Sequence, residues 1–476
     1  MEGNQSAKFW PIMIAIFVGA FLTALSTSTI NVAVPVLMEH FHSDLSSIQW
    51  TLTGFLLATG TIAPLTGYLG ERYSYKRLYL VCLCGFTLFS LLCALSWNTT
   101  SLVAFRTMQG VFSGLVMPTT MTMIFQIVPR NRQASALSLW SLSTMLGPAI
   151  GPTLAGVMIE HLSWHWLFLM NVPVGLVAIV LTVRLIPYFR LNVPKGFDLF
   201  GLITCIVGSL SLLIALSNGH EWGFASFKTI GLIAFGLLVL ASFFWWEVRS
   251  RAPLLNVRVF LNKRFSLSLI VTSIVTMSLY SGAYLTPLFL QTILGETPLV
   301  TGLVLLPASL VMALLMPFVG RLYPKTGPMP LMIAGVLLVS FGTWMMSGLT
   351  LATTASYVML WMIVRNVGIS LSHMPSSNAG MEEIPREQSG YASSISNWVR
   401  NVMGAFSIAL FTTIISSRTA VYREQLIEQQ VDSKTIPHLS LLQAMNDVFL
   451  LAALIALIGL PICLMIRKRK TSLSEA

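Results

Sequence analysis

Residues 101–118 read SLVAFRTMQGVFSGLVMP, a run of apolar and small residues with one arginine, Arg106, inside it. The nearest charges along the chain are Arg77 before it and Arg130 after it. A helix needs only about 20 mostly apolar residues to cross the hydrocarbon core, so Arg106 stands within a stretch that reads as membrane-spanning. A guanidinium keeps its proton in proteins. At mid-membrane it costs about 3 kcal/mol or more on insertion scales unless it faces protein interior or water. The fold must therefore supply an interior, or a route by which the side chain snorkels to the surface.

Outward from this stretch the reading is uniform. The 476 residues are 55% hydrophobic and 9% charged, with a mean hydropathy of +0.78. Soluble chains carry about 25% charged residues, so this composition belongs to an integral membrane protein. Charge clusters divide it into fourteen expected spans, at roughly 9–36, 47–69, 78–97, 101–126, 134–159, 165–187, 199–217, 228–246, 266–291, 299–320, 329–349, 355–378, 390–415 and 446–466. The N-terminal charge-free run from Phe9 to Met38 is longer than a signal-peptide core and has no small-residue cleavage site. The first span is therefore expected to be retained.

With the N-terminus inside, 21 of the 28 lysines and arginines fall on inner segments and four on outer ones. That bias predicts both termini in the cytoplasm. The net charge of +11 then reflects topology and argues against a nucleic-acid partner. Cys82, Cys84, Cys93, Cys205 and Cys463 all lie in apolar runs and are expected to be buried and inert. Cys82 and Cys84 are about 200° apart on a helix and cannot share a metal. No metal site and no disulfide framework are expected.

The two halves of the chain echo each other. PRNRQASALSLWSLSTMLG from Pro129 pairs with PREQSGYASSISNWVRNVMG from Pro385, RTMQG at Arg106 with RNVG at Arg365, and GYLGERYSYKR at Gly67 with GRLYPKTGPMP at Gly320. Same-direction halves flanking a central site are a recurring transporter architecture. The segments 199–217 and 228–246 have no repeat partner.

On these motifs the chain resembles the major facilitator superfamily, and within it the fourteen-span drug:proton antiporters of the EmrB/QacA-like type. GYLGERYSYKR resembles the loop motif between spans 2 and 3 at Gly67, Glu71, Arg72, Lys76 and Arg77, with Ser74 where glycine is usual. RTMQGVFSG resembles the span-4 motif at Arg106, Gln109, Gly110 and Gly114. GPAIGPTLAG resembles the span-5 exporter motif at Gly147, Pro148, Gly151, Pro152 and Gly156. SWHWLFLMNVPVG and APLLNVRVFLNKRF resemble the entry to span 6 and the loop before span 9.

The resemblance implies an all-α membrane protein with the major facilitator fold. Two six-helix bundles related by pseudo-twofold symmetry, at 1–190 and 261–476, would be joined by two linker spans within 191–260, with a long outer loop at 416–445. It also implies a secondary exporter of lipophilic small molecules working by alternating access, with a proton gradient and no cofactor, within the bacterial cytoplasmic membrane and as a monomer. No GxxxxGK[ST] pattern occurs in the sequence.

The resemblance assigns a gate to Gly67–Arg77 and a moving interface to Gly147–Gly156. Small faces let helices approach closely in lipid, and prolines soften them. A plain basic loop and static packing are the simpler readings of the same residues.

One departure stands out. The family's first span carries an aspartate, whereas LSTSTINVAVP here has Ser26 at that position, followed by Asn31, Ala33 and Pro35. No Asp or Glu is expected near mid-membrane, yet three cations are: Arg106, Arg365 and Arg400. The expected substrate and coupling cavity thus comprises Ser26, Asn31, Arg106, Gln109, Arg365, His373 and Arg400, with Ser26 facing Arg106. Such a cavity suits either broad lipophilic export or the export or flipping of anionic amphiphiles. His373 reads first as a hydrogen-bonded helix residue and second as a titrating group. A membrane enzyme would need paired carboxylates, metal ligands or a Ser/His/acid group at depth, and the absence of acids near mid-membrane argues against one. A non-transporting sensor is the remaining alternative.

Overall fold

In a computed structural model the chain is described over residues 2–63, 65–128, 133–188, 198–250, 257–382, 384 and 389–466. Parts of the repeat at 129–132 and 385–388, the loop before span 9 at 251–256 and the basic tail 467–470 lie outside these residues, as does the side chain of Glu71. Sixteen helices carry the described chain: α1 Glu2–Phe41, α2 Leu45–Ile62, α3 Leu65–Tyr73, α4 Tyr75–Ala94, α5 Thr99–Ile127, α6 Gln133–His161, α7 Trp166–Leu169, α8 Asn171–Leu185, α9 Leu199–Trp222, α10 Phe227–Arg249, α11 Lys263–Leu288, α12 Pro298–Thr326, α13 Pro328–Met345, α14 Ala355–Met381, α15 Ser389–Glu428 and α16 Ile436–Met465. Their ends carry ordinary stop and start chemistry. Asn98 caps α5 in a reciprocal capping box with Ser101, and Thr297 and Thr354 cap α12 and α14.

Twelve helices among the described residues are long and apolar enough to cross a membrane. Of the fourteen expected spans, α2 and α5 fall outside that set. Both carry polar residues along their length: Gln49, Thr51, Thr53, Thr59 and Thr61 on α2, and Arg106, Gln109, Ser113, Thr119 and Thr120 on α5. They pack on each other, so their polar groups face protein. A Cβ on Gly110 would fall 2.5 Å from the Phe55 carbonyl oxygen, and one on Gly114 2.3 Å from that of Thr59. Helices turned inward need less apolar surface than those facing lipid.

Two expectations are corrected. The loop expected at 416–445 is mostly helix, because α15 runs on to Glu428 and α16 begins at Ile436. Beyond the apolar stretch, Leu426 buries its side chain. The Arg418 guanidinium and the Tyr422 hydroxyl both reach Asp447 of α16, at 2.7 and 2.8 Å. Cys84 is exposed, since the angle that separates it from buried Cys82 turns it outward. Arg400, expected to face the bundle interior or water, is exposed.

The packing is lopsided along the helix axes. The described cations Arg72, Lys76, Arg77, Arg184, Arg249, Arg258, Lys263, Arg264, Arg321 and Lys325 stand at helix ends that share one face, the basic end. Towards the opposite end a single apolar cluster unites both halves, from Ile30, Val32 and Leu37 of α1 and Leu52 and Phe55 of α2 to Tyr284 and Leu288 of α11 and Ala405 and Ile408 of α15. Two polar bonds cross there: Gln291 Nε2 donates to the Val32 carbonyl at 2.9 Å, and Thr153 Oγ1 to that of Gly302 at 3.0 Å. Towards the basic end the apolar clusters separate. One holds Phe9, Ile16, Tyr79, Leu115 and Ile124 of the first half. The others hold residues of α9, α10 and the second half.

Candidate functional site

Arg106 sits on α5 with 1% of its surface exposed. Its Nη1 donates to Ser26 Oγ at 2.8 Å and to Gln109 Oε1 at 2.6 Å, and Nη2 donates to the Ser26 carbonyl at 2.6 Å. The guanidinium carbon lies 4.0 Å from the Phe55 ring centre and 5.9 Å from that of Phe168. Ser26 and Arg106 are thus brought together, as the register of their two helices suggests. A serine hydroxyl, a main-chain carbonyl, an amide oxygen and two aromatic faces take the place of the carboxylate. Desolvated cation–π contacts contribute about 2 kcal/mol, and hydrogen bonds to a charged group about 1.5–3 kcal/mol. Such a set can hold a buried guanidinium without an acid.

Arg365 repeats the arrangement in the second half with different partners. It is fully buried on α14. Nε donates to Thr343 Oγ1 of α13 at 3.1 Å, Nη2 to Ser281 Oγ of α11 at 3.1 Å, and Nη1 points at Met362 Sδ, 3.9 Å away. Two glycines make room for it. A Cβ on Gly282 would fall 2.0 Å from Nη1, and one on Gly342 would fall 3.2 Å from the Arg365 Cβ. Among the described residues no carboxylate pairs with either arginine.

Arg400 lies on α15. Its Nη2 hydrogen-bonds Asn397 Oδ1 one turn back. One turn on along the same face, Gly404 lies against the Tyr280 ring of α11, where a Cβ would fall 2.6 Å from Cε2. His373 is half-buried and lies within α14. Asn31 is half-buried on α1, with Oδ1 unpartnered, and the Gln109 Nε2 that faces away from Arg106 is unpartnered too.

The gate motif's cations turn towards their own half. Lys76 Nζ donates to the Val183 carbonyl of α8 at 2.8 Å. The Arg77 guanidinium lies over the Tyr188 ring, and Arg72 bonds the Tyr68 hydroxyl at 3.3 Å.

The exporter motif divides between two neighbours. Gly147 and Gly151 press on α1, where a Cβ would meet the Ala24 main chain at 2.6 Å and Ser28 Oγ at 2.0 Å. Ser28 Oγ also donates to the Gly147 carbonyl at 3.1 Å. One turn on, the helix changes partner. A Cβ on Gly156 would fall 2.3 Å from the Pro298 carbonyl oxygen of α12, and one on Gly302 of α12 would fall 2.6 Å from that of Pro152. Pro148 and Pro152 are half-buried within α6 between these contacts. One motif therefore ties α6 both to its own half and across to the other.

Reading the sequence missed Phe55, Phe168, Ser281, Thr343, Met362 and Tyr280. The glycines Gly282 and Gly342 were a usable signal, since small residues beside an expected buried arginine mark where its head can lie.

The chain was compared with known proteins. Residues 16–408 match the family described as the Major Facilitator Superfamily. An uncharacterized MFS-type transporter YhcA of Bacillus subtilis is 34% identical over 420 residues, which are 88% of this chain and 79% of that protein. The lincomycin resistance protein LmrB of Listeria monocytogenes is 28% identical over 472 residues, 98% of this chain and 99% of its own. A bacterial homolog of the human lysosomal transporter Spinster, in an inward-facing and unoccupied conformation, superposes with a TM-score of 0.67 at 15% identity, covering 96% of this chain and 98% of that one, and so shares the fold. The protein is thus a multi-pass membrane transporter, not an enzyme, and it belongs to the Major Facilitator Superfamily.

Proposed function

We propose that the chain is a secondary exporter of lipophilic small molecules that works by alternating access and is driven by the proton gradient. In this reading α2 and α5 also cross the bilayer, giving fourteen spans with both termini and the basic end in the cytoplasm of a bacterial cell. Two six-helix bundles flank the linker pair α9–α10, and one copy suffices without a cofactor or nucleic acid. The observation that carries the proposal is the lopsided packing: one apolar cluster closes both halves at the opposite end, while the clusters at the basic end belong to separate halves. That is one of the two states an alternating-access carrier needs. The other is reached when the α6–α12 contact and the Gln291 bond to Val32 give way. Export is favoured by the exporter motif on α6 and by the resistance named for the Listeria relative.

The test is efflux. Cells expressing the chain are expected to accumulate several-fold less phenylnaphthylamine, an uncharged lipophilic dye, than cells carrying an empty vector, and a protonophore is expected to erase the difference. Equal accumulation would remove the exporter reading. Export that persists with the protonophore would remove the proton coupling alone.

A further inference from the structure

The three interior arginines are not equivalent. Arg106 and Arg365 are closed off and bond neutral protein groups, Arg106 through Nη1 and Nη2 with Nε buried and unpartnered among the described residues. Arg400 is exposed, and among the described residues its one hydrogen-bond partner is Asn397. A guanidinium has five N–H donors in a planar fork, so Nε and Nη1 are left without an acceptor among the described residues.

The surroundings show where this head points. Asn397, Arg400 and Gly404 share one face of α15 at helical spacing. Gly404 lies under the Tyr280 ring of α11, where a Cβ would fall 2.6 Å from Cε2. α14, which carries His373, packs on α11 as well. The side chain therefore projects into the gap between α11, α14 and α15 and not into lipid, where it would cost about 3 kcal/mol or more. In height it lies at the floor of the opening. Beside it on α15, Asn401 and the Trp398 carbonyl meet Gly60 of α2, with distances of 2.8 and 3.3 Å to a Cβ built there. Beyond that level the two halves part towards the basic end.

We infer that Arg400, with Tyr280 on the facing helix, recognises the oxyanion head (carboxylate, sulfonate or phosphate) of an amphiphile whose apolar body lies along the surrounding helices. The guanidinium supplies a two-pronged donor that matches such a head. Tyr280 offers a third donor, and its ring together with the flanking apolar helices suits the body. This rests on the exporter reading and names a substrate class for it.

The test uses the full chain in lipid nanodiscs and two dyes of similar aromatic skeleton, the anion anilinonaphthalene sulfonate and uncharged phenylnaphthylamine, with empty nanodiscs subtracted. Arg400→Gln should weaken the anionic dye about tenfold or more, as expected for loss of a charged hydrogen bond, and leave the neutral dye within about twofold. Arg400→Lys should retain most of the anion affinity. Tyr280→Phe should weaken only the anion, by less. Unchanged anion binding in Arg400→Gln, or no anion binding by the parent chain, overturns the inference while neutral-dye efflux leaves the exporter reading standing. Equal losses for both dyes overturn it in favour of a structural role. Displacement of the anionic dye by inorganic phosphate at equal concentration would assign the site to a small free anion and overturn the amphiphile. Loss of anion binding in nanodiscs containing phosphatidylglycerol, with binding intact in phosphatidylcholine, would identify a lipid head as the occupant and keep the oxyanion site.

Discussion

Arg106 and Arg400 are both interior cations with no carboxylate partner among the described residues, yet their surroundings are opposites. Arg106 is wedged between the Phe55 and Phe168 rings and bonded to Ser26 and Gln109. Arg400 has one amide partner and an open face. The difference teaches that a buried charge without an ion pair is not by itself a binding site. Where neutral acceptors and aromatic faces are supplied, the cation braces helices. Where they are missing, it remains free to be used.

The largest expected effect tests that contrast directly. Arg106→Ala strands the Ser26 carbonyl and Gln109 Oε1 and opens a cavity, so unfolding in mild detergent should be easier by on the order of 3 kcal/mol. Arg400→Ala should stay within about 0.5 kcal/mol of the parent, as an exposed substitution does. Thermal unfolding of the two purified variants decides it. Equal destabilisation would mean that Arg400 is also a brace.

A smaller effect separates the two faces of the exporter motif. Gly302→Val must push α12 away from the Pro152 carbonyl, and overpacking of this kind costs about 1–3 kcal/mol. That cost falls on the state in which the opposite end is sealed, so the variant should favour the other state. A cysteine placed at Gln291 should then react about tenfold or more faster with a bulky thiol reagent. Gly147→Val presses on α1 within one half, so it should lower stability and leave that reactivity unchanged. Identical labelling in the two variants would erase the distinction between seam and brace.

The smallest effect lies at the opposite end, outside the spans. Burial, and then the charge of His40, lower the His165 pKa below its ordinary value. His165 stacks on Trp164, with ring centres 3.8 Å apart. A depressed folded pKa favours the neutral ring, so its contribution is complete above about pH 6.5 and is lost as pH falls through the lowered value. The unfolding temperature should therefore drop between neutral and mildly acidic pH, by no more than about 2 °C. His165→Phe should flatten that part of the profile, and an unchanged slope in the variant would assign it to other groups.

Much of this was legible in the chain itself. Long apolar runs bounded by charges show spans because crossing lipid demands about 20 such residues, and the described helices follow them closely. Ser26 and Arg106 could be matched because each lies a similar distance from the same end of its helix. That 420–430 could wind was legible in the spacing of Val421, Leu426 and Ile427, but not that it continues α15 to Glu428. Contact with Asp447 and burial of Leu426 help hold that continuation. Tyr280 was not legible either, because an aromatic in a span reads as core until a cation is seen beside it.

The sequence by itself determined the membrane class, the family and the presence of interior cations with no acid among them, since composition and motif order survive any arrangement of the helices. Which arginine is sealed and which is open was settled by the packed structure. A helix among other helices and lipid is apolar on nearly every face, so its 3.6-residue period carries little information about facing. The rotation of α15 against α11 and α14 leaves Arg400 open at the floor of the parted halves, and the closeness of α1, α2 and α7 to α5 closes Arg106.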